Sequence, residues 1–92
     1  MENLTINVSK QIDGFTFSIT PLTRQTIQKE YPSANPIQSI FVAYDVRSNF
    51  ESLYGKIQKY IYPALTGIPE DVTTRNKVKF IDSLTHKELY SF

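Results

Sequence analysis

The sequence predicts an α+β domain. A small antiparallel sheet, made of an N-terminal β-hairpin plus a third strand, packs against an amphipathic helix, and the C-terminus is helical. Three observations predict this. Apolar residues alternate on both sides of Asp13-Gly14. A continuous apolar run, Ile40-Phe41-Val42-Ala43-Tyr44, lies beyond a proline loop. Phe50, Leu53, Tyr54, Ile57 and Ile61 fall in one narrow sector when wound as a helix. With 92 residues, the chain has room for one core and a single domain over 1–92.

The hairpin comes first. Leu4, Ile6, Val8 and Ile12 fall on alternate positions, with Lys10 the polar exception, and Phe15, Phe17 and Ile19 continue the alternation. Asp-Gly between two such runs predicts a two-residue type I′ turn, which needs positive φ at both central residues. The matching register sets Ile12 against Phe15, Lys10 against Phe17 and Val8 against Ile19. One face then carries Ile6, Val8, Ile12, Phe15, Phe17 and Ile19. The other carries Asn7, Ser9, Gln11, Thr16, Ser18 and Thr20. Such a one-sided ribbon has to cover its apolar face.

Thr20-Pro21 supplies an N-cap and a first-turn proline, so a short polar helix is expected up to Tyr31, where Pro32 stops it. Tyr31 to Pro36 reads as a loop, and Ile37–Tyr44 as a buried strand. Ser48 and Glu51 form a capping box ahead of the apolar stripe, which predicts a helix over 48–62 ended by Pro63. Ala64 to Pro69 is a connector. Pro69-Glu70-Asp71 resembles a helix start, with its acids where the helix dipole favours them. Residues 72–84 fit neither period cleanly. Helix is the expectation, with a strand over 77–82 as the alternative. Thr85 and Glu88 form a second capping box stapled by Leu84 and Leu89, predicting a terminal helix.

Composition excludes several functions. There is no cysteine, hence no disulfide, thiolate or Cys-ligated metal, and His86 is the one histidine. The net charge of +1 is too small for a dedicated non-specific nucleic-acid binder. Gly14, Gly55 and Gly67 are scattered, so no phosphate-cradling loop forms. Capping and turn roles absorb most carboxylates, leaving no acid pair arranged for a metal ion or for acid–base work. No cofactor is expected. The sequons Asn3-Leu4-Thr5 and Asn7-Val8-Ser9 read as chance matches. The first residues lack the basic and apolar regions of a signal peptide and no segment spans a membrane, so a cytoplasmic location is expected.

Two candidate surfaces remain. Six tyrosines and six phenylalanines with no tryptophan are a surplus beyond what the core pattern needs. Tyr60 and Tyr62 fall at or beyond the edge of the apolar sector, and exposed tyrosines are enriched at interfaces. Gly55 on the same outer side costs about 1 kcal/mol against alanine. Gly55, Lys56, Lys59, Tyr60 and Tyr62 are therefore the expected partner-binding surface. Arg75, Lys77 and Lys79 are the densest basic run, and on a strand they share one face, as in some single-strand binders. A third arrangement, Arg75, Lys77, Lys79, His86 and Tyr90, has the residue types of a small metal-independent RNase of the toxin type.

The expected function is a non-enzymatic accessory factor that docks on a partner protein as inhibitor or regulator, with free hairpin edges favouring self-association as a homodimer or strand addition to a partner. Nucleic-acid binding and RNase activity are the alternatives. The Asn, Ile, Lys and Tyr usage suits an AT-rich genome, and a short chain without catalytic motifs is expected to be an accessory factor of a bacterium, phage or mobile element.

Overall fold

A computed structural model describes residues 3–45, 50–68 and 77–92. The chain is an α+β domain built on one mixed sheet. Its strands are β1 (Asn3–Gln11), β2 (Gly14–Ile19), β3 (Ser39–Ala43), β4 (Lys77–Asp82) and β5 (Glu88–Ser91), in the order β3-β2-β1-β4-β5. Helix α1 (Pro21–Glu30) links β2 to β3. A composite helical stretch links β3 to β4. It consists of a 3-10 turn (Phe50–Leu53), α2 (Tyr54–Lys56), a π turn (Ile57–Ile61) and α3 (Tyr62–Thr66). β1 is antiparallel to β2 and parallel to β4; β2–β3 and β4–β5 are antiparallel. The parallel β1–β4 pair needs a crossover, and the composite helix provides it.

The hairpin forms with the expected faces but a different register. Ile6 pairs with Ile19, Val8 with Phe17, Lys10 with Phe15, and Gln11 with Gly14. The two-residue loop is therefore Ile12-Asp13, and Ile12 is 95% exposed rather than apposed to Phe15. Neither loop residue has a positive φ, so the turn is not type I′. The register differs by two residues, and a shift of two returns every side chain to its own face. Alternation alone cannot detect it. Gly14 serves a close approach instead: a Cβ there would lie 2.2 Å from the Val42 carbonyl oxygen and 2.8 Å from Phe41 Cζ.

α1 begins as expected. The Thr20 hydroxyl accepts from the Thr23 N–H at 3.1 Å, and Pro21 occupies the first turn. Thr23 Oγ1 then donates to the Thr5 carbonyl at 3.0 Å, tying α1 to β1. β3 is an edge strand, not the buried strand expected. Its side chains alternate between exposed and half-buried, and Phe41 is 48% exposed.

The stripe Leu53, Ile57 and Ile61 is buried, with Phe50 and Tyr54 packed partly against it. It covers the sheet face that carries Leu4, Ile6, Val8, Phe15, Phe17, Ile19, Val78 and Phe80 in a single core cluster. Phe15 meets Phe50 edge-on at 5.1 Å, and Phe17 meets Phe80 at 6.0 Å. Pro63 does not end the helix. The Tyr62 N–H bonds to the Ile57 carbonyl, five residues back, and this wider turn eases the proline ring past the preceding carbonyls. The stop comes at Gly67, whose φ of 76° is left-handed and whose N–H bonds to Pro63 O at 2.9 Å. Ala64–Thr66, expected as connector, is thus helix. Ser48 of the expected capping box lies outside the described residues, as does the expected helix start at Pro69-Glu70-Asp71.

The C-terminal expectations change most. Residues 77–82 are strand, with Val78 and Phe80 buried between exposed Lys77 and Lys79. The last residues are also strand: Phe80 pairs with Tyr90 and Lys79 with Ser91, across a bulge at Phe80/Ile81. The Thr85–Glu88 capping box does not form. The Asp82 carboxylate instead accepts from the Leu84 and Thr85 N–H groups at 2.8 and 3.1 Å and closes the β4–β5 turn. Leu84 is exposed, so there is no staple with Leu89.

Candidate contact surfaces

The expected helical surface is only partly present. Gly55, Lys56, Lys59 and Tyr60 are exposed, Tyr60 at 66%. Tyr62 is fully buried, and its ring lies 5.4 Å from that of Phe92. The π turn explains the difference. With a bond to the fifth residue back, Tyr62 stacks above Ile57 and rejoins the core stripe, whereas a regular α-helix would carry it well off that line. A Cβ at Gly55 would meet nothing within 4 Å, and its φ is not left-handed. Gly55→Ala is therefore expected to raise stability by about 0.5–1 kcal/mol in urea unfolding. A loss of stability would mean that the helix is not open there.

The basic run is split between described and undescribed residues. Lys77 and Lys79 lie together on the sheet face opposite the core, uncovered among the described residues, and Arg75 is outside the described residues. The same face carries half-buried Thr5, Asn7, Ser9, Thr16 and Ser18, with Phe41 at its far edge. Lys77, Val78, Lys79, Ser91 and Phe92 line an open concavity of about 420 Å³.

The RNase-type set does not converge. Tyr90 sits on the core face, stacked on Tyr54 at 4.0 Å, while Lys77 and Lys79 point to the opposite face. The Tyr54 hydroxyl donates to Leu89 O at 3.2 Å. Burial, and secondarily Tyr54, push the Tyr90 phenol above its usual range. His86 is exposed in the β4–β5 turn with a φ of 62°, not at the head of a terminal helix. The Thr85 and Leu84 N–H groups hold the Asp82 carboxyl below its usual value, outweighing its partial desolvation; the charges of His86 and Lys10 add to the effect. Among the described residues, no three His, Asp or Glu side chains gather as metal ligands. No helix among them is long and apolar enough to cross a membrane.

The sheet also exposes a surface that sequence reading missed. Tyr44 N–H bonds to Asp13 O, and Ile19 N–H to Gln38 O. In the observed register, residues 38, 40, 42 and 44 thus direct their backbone groups towards β2. Ser39, Phe41 and Ala43 direct theirs outward, and all three residues are exposed. Sheet edges are usually blunted by charge, proline, a bulge or shortness. β5 has a bulge, four residues and Glu88. β3 reads Ser-Ile-Phe-Val-Ala, without charge or proline. The available signal was the alternation inside 39–43, which an uninterrupted apolar run conceals.

Compared with protein-family models, with curated proteins and with solved structures, the chain matches none.

Proposed function

We propose that this protein is a non-enzymatic accessory factor that works by contact, docking on a protein as an inhibitor or regulator. The observation that carries the reading is the outer edge of β3, an uncharged row of outward backbone groups at Ser39, Phe41 and Ala43. Such an edge accepts an added strand, with main-chain hydrogen bonds giving affinity and neighbouring side chains giving selectivity. Exposed Tyr60, with Lys56 and Lys59, offers a second contact area on the helical side. The test is a photo-crosslinking residue placed at Ser39 in the native host, with Leu22, exposed on α1, as control. A discrete, nuclease-insensitive protein adduct from position 39 alone is the expected result. No adduct, or the same adducts from position 22, would sink the reading.

A second reading has one specific observation in its favour: Lys77 and Lys79 share the uncovered sheet face, as a single-strand binder requires. It predicts oligonucleotide binding that falls steeply with salt and is lost on charge reversal at both lysines. Salt-insensitive or absent binding removes it.

A further inference from the structure

We infer that the occupant of the β3 edge is a second copy of this chain, paired antiparallel about a two-fold axis at Phe41. The inference rests on reading that edge as the contact surface, and it goes further by naming what fills it. Within β3, Ser39, Phe41 and Ala43 present the outward groups, and Phe41 is their centre. A two-fold axis there sets Phe41 opposite Phe41 of the other copy and Ser39 opposite its Ala43, so every outward N–H meets a carbonyl. An axis at either end would leave groups unpaired. The pattern is also self-matching, because Ile40 faces Val42 of the other copy on the core side and the two Phe41 rings meet on the uncovered side.

A two-fold pair sets identical surfaces against each other, so charges within the strand would repel. β3 has none. By the same register, Asp45 of each copy lies opposite Ile37 of the other. Ile37 and Phe41, 41% and 48% exposed, supply the apolar area that pairing would cover. The product is a continuous sheet with both composite helices on one side, which presents two copies of the Tyr60 surface to a partner.

The native chain has no cysteine, so register can be read by disulfide trapping. In the paired form, positions 39 and 43 of opposite copies lie about 5.5 Å apart between Cα atoms, within disulfide reach. Two copies of position 39 lie about 14 Å apart, beyond it. An equimolar mixture of Ser39→Cys and Ala43→Cys is expected to oxidise mainly to the mixed dimer, at least tenfold faster than either alone. Sedimentation of the unmodified chain is expected to show dimer growing with concentration. Phe41→Lys should abolish it with the circular dichroism spectrum unchanged, and Ile12→Lys in the hairpin loop should leave it intact. A chain that stays monomeric throughout, or trapping without preference for the mixed pair, overturns the inference. If the monomeric chain still gives an adduct with a different protein from position 39, the edge is a docking site with another occupant. If position 39 gives no protein adduct, the parent reading falls as well.

Discussion

Replacing Tyr62 by alanine is expected to destabilise the domain by about 3–5 kcal/mol, the range for deleting a fully buried aromatic side chain. A domain of this size has a total stability of roughly 5–14 kcal/mol, so the variant should lose a large part of its folding free energy. The expectation follows from geometry. Tyr62 is fully buried, is the largest of the wholly enclosed side chains, and packs beside Phe92 at the end of the sheet. Its neighbour Tyr60 stands in solvent, and Tyr60→Ala should stay within about 0.5 kcal/mol of the parent. Urea unfolding of the two variants side by side is the measurement. If Tyr62→Ala unfolds at the parent midpoint, the π turn does not hold Tyr62 on the core face, and the residue returns to the partner surface. If the variants behave as expected, any loss of binding in Tyr62→Ala reports unfolding, while a loss in Tyr60→Ala reports contact.

This pair of tyrosines shows what the sequence could and could not disclose. A helical stripe assumes an unbroken angle per residue, and it placed Leu53, Ile57 and Ile61 correctly. It failed one residue later because a single π turn resets the phase, and nothing local to Tyr60-Ile61-Tyr62 announces that turn except Pro63. The hairpin repeats the lesson in a strand. Parity fixed which residues of β1 and β2 face the core, yet a slip of two is silent to parity, so the loop moved from Asp13-Gly14 to Ile12-Asp13. At the C-terminus, Thr85 and Glu88 satisfied a local capping pattern. The chain there is decided instead by what β1 leaves open: its second edge takes β4 in parallel, and β4 then takes β5. Those pairings are long-range and leave only a faint mark in Lys77-Val78-Lys79-Phe80. The basic face followed once the strand was known. The β3 edge did not, because strand order decides which strand lies outermost.

Gly14→Ala is expected to cost about 2–3 kcal/mol, at the upper end for forcing a methyl group into a packed site. Gly14 is not in the left-handed region, so the penalty comes from contact and not from conformation. The new Cβ would stand 2.2 Å from the Val42 carbonyl oxygen and 3.0 Å from Ala43 Cα, backbone atoms that no rotamer change can move. The Phe41 ring, at 2.8 Å, could swing away, but the carbonyl can retreat only if β3 separates from β2. The damage should therefore be local and directional. Amide protons of Val42 and Tyr44, which point towards β2, should lose hydrogen-exchange protection far more than those of β4, which pairs with β1 and β5 at a distance. Because β3 is also the proposed seam between two copies and Phe41 lies at its centre, the same substitution should weaken dimer formation. Gly55→Ala, with open space around its Cβ, should move stability the other way and leave the dimer alone. Equal protection across β3 and β4 in Gly14→Ala would show that the edge tolerates the methyl group. The close approach would then have no structural consequence, and the register that places Gly14 beneath Phe41 would need revision.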